Sequence, residues 1–266
     1  MAVFTMKVVN AAGETLKERV DENYCDLAYG GEYQEGDCIV VESSEPNIPI
    51  KVQVDDALGS AMVLLNGSKF VYPVPFGSLR RAHSPKIFSG KVHYMFVRTV
   101  PEKEWNGYRN LALNVADTHG EAQVFPHIAA NCETRDESVF AARNTIDNVT
   151  INRSHGRWPF HSWGINMQDD ACFKLDFGRE VVADMIVLHT RADFPHDNWW
   201  ESVTFTFSDG SEMVVSLEKS DRPHYIPLDN KKFSWFTFDK LIKGDKGENA
   251  SPFPALTQIE VFGQNA

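Results

Sequence analysis

The amino-acid sequence predicts an all-β protein made of two packed β-sandwiches, and three observations carry that expectation. Short runs rich in β-branched and aromatic residues recur every 8 to 12 residues or so, bounded by Gly, Pro, Asp and Asn. Helical periodicity is scarce; the best stretch is Glu137 to Ile146, where Val139, Phe140, Ala142 and Ile146 space as a short apolar stripe. The length of 266 residues is long for one ordinary domain and comfortable for two. A polar stretch from Asn114 to Gly120 separates the halves, which places the units at residues 1–118 and 119–266. That junction lacks the Gly/Ser composition of a flexible linker, so the units are expected to pack on each other.

In the N-terminal unit, Ile39-Val40-Val41, Val52-Gln53-Val54, Met62-Val63-Leu64-Leu65 and Tyr94-Met95-Phe96-Val97 read as strands. Tyr72-Pro73-Val74-Pro75-Phe76-Gly77 reads as an edge segment, because two prolines cannot donate to a central ladder. Arg80, Arg81 and His83 follow as a small basic cluster, whose ordinary reading is a solvated turn. This unit is expected to serve homo-oligomerisation or to complete a cleft. In the C-terminal unit, Cys172 to Phe177 alternates cleanly, as do Val203 to Phe207 before Asp209-Gly210, and Phe233 to Phe238. Alternation means one face packs on a core while the other faces solvent or a neighbour.

The formal net charge of −11 argues against nucleic acid and against an anionic membrane surface, since both require a basic face. No stretch approaches the roughly 18 apolar residues of a membrane span. The N-terminus MAVFTMKVVN lacks the pattern of a secretion signal, so a cytoplasmic location is expected. On that reading Cys25, Cys38, Cys132 and Cys172 are reduced thiols rather than disulfides, and their spacing is not that of a cysteine zinc site. The Asn-x-Ser/Thr triplets at Asn66, Asn148, Asn152 and Asn249 are then chance matches.

The segment Phe140-Ala141-Ala142-Arg143-Asn144-Thr145-Ile146-Asp147-Asn148 resembles the "A-x-x-A-x-D-G" signature of the discoidin, or coagulation-factor type C, family. Further pieces follow in that family's order: an aromatic loop from Trp158 to Trp163, then Lys174-Leu175-Asp176-Phe177-Gly178, similar to "x-x-L-D-L-G". The strand Asp184 to His189 comes next, and Gln258-Ile259-Glu260-Val261-Phe262-Gly263 closes the chain like "x-I-E-x-x-G". The match covers about half of the chain. It implies that residues from about Glu133 to Gly263 form a galactose-binding-like, eight-stranded jelly roll that holds a carbohydrate in loops at one end. It also implies a structural calcium, held by Asp147, Thr150 and Glu260, with Asn148 standing in for the family's Gly. The alternative there is a satisfied polar turn without metal. The chain also resembles two-domain bacterial carbohydrate-binding proteins, through blocks such as Tyr108-Arg109-Asn110, Phe125-Pro126-His127 and Arg191 to Asp197.

Three segments concentrate the chemistry. Arg191 to Trp200 supplies Arg191, Asp193, His196, Asp197 and Trp199 as ligand-binding candidates. Sugars are held by an aromatic face against the C–H side of the ring and by planar polar groups that pair with adjacent hydroxyls. The competing reading is an Arg–Asp pair fixing the loop and an inward tryptophan. His155 and Trp158, in the loop His155 to Gly164, form the second candidate. The third is the junction, Tyr108 to Asn110 and Phe125 to Glu137. It forms either a domain-interface cleft or a lock of pairs among Arg109, Glu133 and Arg135.

Non-catalytic carbohydrate binding is the expected function. A carbohydrate-active enzyme, with His, Asp, Glu and Arg at the junction, and a protein-assembly module are the alternatives. His127, His155 and His196 would be the zinc set of such an enzyme, although their spacing carries no motif. There is no HExxH, Gly-x-Ser-x-Gly or Gly-rich phosphate loop.

Overall fold

The computed structural model describes residues 1–120, 122–153 and 156–266. The N-terminal unit runs through β1 (Val3–Val9), β2 (Thr15–Glu22), β3 (Tyr24–Tyr29), β4 (Cys38–Ser43), β5 (Pro49–Asp55), β6 (Gly59–Leu65), β7 (Lys69–Pro73) and β8 (His93–Thr99). One sheet has the order β2-β1-β4-β7, and β3, β5, β6 and β8 belong to a second. Each inner face follows from strict alternation. Phe4, Met6 and Val8 of β1 point inward with Ile39, Val41 and Phe70, against Cys25, Ile50, Val52, Val63, Leu65 and Val97 of the other sheet. Strand β7 lies at a sheet edge, and Pro73 at its end closes the ladder.

The connection between the units is woven rather than cut at one point. After a helical turn at Glu102–Trp105, β9 (Arg109–Asn110) pairs with the last strand of the C-terminal sheet, and Leu111 and Ala112 enter that core. Val115 and Ala116 then return to the N-terminal core. Next, β10 (Val124–Phe125) adds to the edge of β6, while β11 (His127–Ala130) joins the C-terminal sheet. The expected boundary at 118/119 falls inside this stretch. Asn114, fully buried, fastens it: its side chain donates to Pro126 O (2.7 Å) and accepts from Ala116 N–H (3.0 Å).

The C-terminal unit is an eight-stranded antiparallel sheet bent into a sandwich. Its remaining strands are β12 (Trp163–Gly164), β13 (Phe173–Thr190), β14 (Trp200–Phe207), β15 (Glu212–Ser216), β16 (His224–Lys243) and β17 (Ala255–Asn265). Two strands are long enough to serve both layers. The first part of β13 pairs with β11 and the end of β16; after a register shift between Asp176 and Val181 it pairs with β17. The core between the layers is aromatic, with Trp163, Phe173, Trp200, Phe205, Phe236 and Phe238 all buried. Phe173 and Phe238 stack at 5.0 Å, and Trp163 meets Phe173 edge-on at 5.0 Å. Such pairs each add about 0.5–1.5 kcal/mol beyond area burial.

The glycines that close the two sheet motifs have different reasons. Gly178 sits at the bend of β13 with φ +65°, and a Cβ there would lie 2.4 Å from the Phe125 ring. Phe125 belongs to β10, so this glycine lets the N-terminal sheet's edge strand sit on the C-terminal sandwich. At Gly263 the obstacle is backbone: a Cβ would meet Val182 O at 2.2 Å. Asn148 adopts φ 74°, the left-handed turn that the sequence assigns to it.

The expected helical stripe from Glu137 to Ile146 is instead two 3₁₀ turns, Ser138–Phe140 and Ala142–Ile146, divided by extended Ala141. The apolar residues serve two masters. Val139 packs with Ala82 and Phe160 in a small separate cluster, whereas Ala142 and Ile146 enter the main C-terminal core. One straight helix cannot face both. All four cysteines are free, Cys25 and Cys132 buried, and burial pushes the Cys132 thiol up to about 11.

Replacing Gly263 by Ala should destabilise the protein by roughly 1–3 kcal/mol, the range of overpacked cores. A fall in the urea midpoint at unchanged slope would show it.

Candidate functional site

The loop richest in chemistry, Arg191 to Trp200, is largely spent on its own architecture. Arg191 Nε lies 3.0 Å from Asp197 Oδ2, with both side chains almost wholly buried. Asp197 also accepts the Asp193 N–H (3.0 Å) and faces His196 Nδ1 (3.0 Å). Asn198 bridges to the 245–251 segment by donating to Asp245 O (3.0 Å) and Ser251 O (2.6 Å). Trp199 donates to Asp245 Oδ1 (3.0 Å) and packs its indole onto Gly244, where a Cβ would lie 2.0 Å from the ring. Trp200 is the inward tryptophan. His196, half exposed, stacks on Phe253 at 5.9 Å. The cavity beside Arg191, His196 and Asp197 measures about 100 Å³. Ligand pockets usually measure about 300–1,000 Å³. Arg191 and Trp199, read from sequence as sugar contacts, make contacts within the protein to Asp197, Asp245 and Gly244.

His155 lies outside the described residues. Trp158 is part exposed, stacks on His161 at 6.4 Å, and borders an open basin of about 520 Å³ with Arg80, Arg81, His83, Arg157 and Phe160.

The positions nominated for calcium do not form a cage as they stand. Asp147 Oδ2 faces His161 Nε2 at 2.9 Å, and its Oδ1 accepts the Val149 N–H at 3.0 Å. Glu260 is held by His189 Nε2 at 2.8 Å, and Thr150 is exposed. Calcium takes about six to eight oxygens, whereas both carboxylates here are committed to imidazoles. With its amide nitrogen toward Thr145 O (3.2 Å) and its oxygen toward Asn148 N–H (3.2 Å), buried Gln258 itself fastens the turn. Among the described residues no group of three or more His, Cys, Asp or Glu is placed to hold a metal. His127 and His196 pair with different aspartates.

A cleft of about 390 Å³ opens where the two sandwiches meet. The end of β7 and the following 3₁₀ turn, Gly77–Ala82, supply its apolar wall: Tyr72, Pro73, Val74, Pro75, Leu79 and Ala82. The junction and the turns after β11 supply the polar wall, with Asp117, His119, Glu133, Asp136 and Arg143. His83 sits at the seam. It is buried, which corrects its reading as part of a solvated turn.

Arg143 organises that wall. Its Nε donates to Asp117 O (3.1 Å), and its Nη1 reaches His83 Nε2 (3.3 Å) and Asn144 Oδ1 (3.4 Å). A guanidinium only donates, so His83 Nε2 must be the acceptor and its proton must sit on Nδ1. Burial first, and then the Arg143 charge, hold His83 well below the ordinary histidine value, which agrees with that tautomer. The Asp117 carboxylate is fixed by His127 Nδ1 (2.8 Å) and the Ile128 N–H (3.3 Å). Burial opposes charge on His127, but Asp117 outweighs it and holds His127 above its usual value. Glu133 accepts the Ala142 N–H (2.8 Å) and faces His119 (3.2 Å), which projects into solvent. The expected lock among Arg109, Glu133 and Arg135 does not form. Arg135 pairs with Glu137 (2.7 Å), and Arg109 stacks on Trp105 at 4.7 Å.

Sequence reading reached the junction and the Arg80–His83 cluster but did not single out Tyr72, Asp117 or Arg143, which line the cleft. A signal was present: Arg143 interrupts an apolar pattern, and a charge kept in such a place must face something polar.

No protein-family model matches the chain, and comparison with curated protein sequences finds no match. Among solved structures, the chitosan-binding module 1 of a chitosanase/glucanase from Paenibacillus sp. IK-5 is 16% identical, with a TM-score of 0.40, over 58% of this chain and 99% of that one. A fucose-binding module from Streptococcus pneumoniae is 11% identical, with a TM-score of 0.41, over 60% and 98%. The family 32 carbohydrate-binding module of Clostridium perfringens NanJ, in complex with galactose, is 14% identical, with a TM-score of 0.37, over 51% and 91%. The ligands in those names belong to those modules.

The lowered His83 sets a pH dependence. The unfolded chain takes up a proton at this histidine below about pH 6.5, and the folded chain does not. The contribution is therefore complete above that pH and is lost on acidification, by up to about 1.4 kcal/mol per pH unit. Urea unfolding at pH 7.5 and 5.5 should show a smaller acid loss for His83→Gln than for the parent protein.

Proposed function

We propose that this chain is a carbohydrate-binding protein whose ligand lies in the cleft between the two sandwiches. One observation carries the reading: the two walls of the cleft differ in kind. The side from β7 and its turn is aromatic and aliphatic, and the opposite side presents a guanidinium, carboxylates and imidazoles. A pyranose ring is two-sided in the same sense, with a C–H face and a rim of hydroxyls that planar polar groups address in pairs. The volume of about 390 Å³ suits a ligand of that size. The sequence resemblance implies the same ligand class, but in loops at one end of a single sandwich; the pocket geometry favours the junction.

A second reading, a carbohydrate-active enzyme at the same cleft, is favoured by Glu133 and Asp136 lining it beside a neutral His83. Glycoside hydrolysis uses two carboxylates across the scissile bond. Time-course incubation with oligosaccharides, read as new reducing ends, separates an enzyme from a binder.

An immobilised glycan panel probed with the full chain should identify a ligand, and calorimetry then locates it. Leu79→Ser and Glu133→Gln should each weaken binding about tenfold, equivalent to about 1.4 kcal/mol. Trp199→Ala should leave affinity unchanged and lower the melting temperature instead. Loss of binding in Trp199→Ala at unchanged melting temperature would move the site to the Arg191–Trp200 loop. Silence across the panel, with a protein partner captured from lysate, would favour an assembly module.

A further inference from the structure

Beside the cleft lies the open basin of about 520 Å³, and His83 lines both. Its charged lining is all of one sign: Arg80, Arg81 and Arg157, with Trp158 and Phe160 as the aromatic part. That is unexpected in a chain with 37 acidic against 26 basic residues. Such a surface should place acids beside its arginines by default. Among the described residues neither Arg80 nor Arg81 forms a salt bridge, and the acid that feels the Arg81 charge, Glu137, is itself paired with Arg135. Arg80 Nη2 donates to Ile87 O (2.6 Å), a neutral acceptor, and the Arg81 guanidinium lies 5.9 Å from the centroid of Phe160. Behind His83, Arg143 is buried without an ion pair among the described residues, and its Nη2 has no hydrogen-bond partner. His83 feels this field: after burial, the charges of Arg143 and Arg80 are among the causes that depress its proton affinity.

From this grouping of arginines around the seam of two adjoining pockets, we infer that the carbohydrate bound here is acidic, carrying a carboxylate that the basin arginines receive. Guanidinium and carboxylate match as planar, bidentate partners, and a concave pocket concentrates the attraction. The exposed part of Trp158 offers apolar ring surface beside that charge, so a uronic acid unit fits the basin while the adjoining sugar enters the cleft. This inference rests on the carbohydrate reading of the cleft and adds the class of sugar to it.

The test is calorimetry of the full chain with a panel of uronate oligosaccharides, the same oligosaccharides as methyl esters, and neutral counterparts. The acid should bind at least tenfold more tightly than its ester, and raising the salt concentration should narrow the gap. In Arg80→Gln/Arg81→Gln, affinity for the acid should fall to the level of the ester, with ester binding unchanged. Arg81 is exposed, so Arg81→Gln alone provides a variant whose fold is not at risk. Equal affinity for acid and ester would overturn the acidic-sugar inference and leave carbohydrate binding standing. Binding of no sugar in the panel, charged or neutral, would overturn both.

Discussion

The guanidinium of Arg143 is buried where the two sandwiches meet, and the polar wall of the cleft is arranged around it. A buried cation forfeits several kcal/mol of hydration even after relaxation. Here it is met by a backbone carbonyl, an amide oxygen and an imidazole nitrogen instead of a carboxylate. Hydrogen bonds to charged groups are worth about 1.5–3 kcal/mol each, which offsets much of that cost. The arrangement has consequences outward. His83 must stay neutral to accept, Asp117 must keep its carbonyl in place, and His127 and Ile128 hold Asp117 from the other side. Glu133 caps the turn that carries Arg143 by accepting the Ala142 N–H. These residues form one coupled network, in which removing a member exposes the others to unsatisfied burial.

The cleft is preformed because the two units are stitched together. Adjacent domains usually move relative to each other unless their interface is substantial. In this protein the chain itself passes back and forth, with β9 in one sheet, β10 in the other and β11 back in the first. Phe125 of β10 rests on Gly178, while the guanidinium groups of Arg109 (4.7 Å) and Arg179 (4.3 Å) both pack on the Trp105 ring. Walls of opposite chemistry are thereby held face to face. Neither sandwich has such a pocket alone, since Tyr72 and Leu79 come from one unit and Arg143 from the other.

Much of the fold was legible in the sequence because strand burial is a local, periodic property. Phe173, Leu175 and Phe177 alternate inward as written, and so do Phe205 and Phe207. Pro73 at the end of β7 and Pro75 just beyond it marked an edge through the missing donor. The candidate site was far less legible. The Arg191–Trp200 loop gathers ionisable and aromatic residues in ten positions, yet residue type does not say whether a charge faces a ligand or a neighbour. Arg191 faces Asp197, six positions away, and Trp199 covers Gly244. The apolar stripe from Val139 to Ile146 misled for a related reason: its residues pack into two cores that only the assembled protein creates.

By itself the sequence determined the all-β class, the aromatic core of the C-terminal sandwich and the turn at Asn148, each of which depends on backbone preference or on side-chain alternation over a few residues. Only the tertiary structure decided which side chains line the cleft. His83 and Arg143 are 60 positions apart, and Arg143 and Asp117 are 26 apart. The role of a charged side chain depends on its burial and on the partner it faces. Both are properties of the packed interface between the sandwiches and of no single segment.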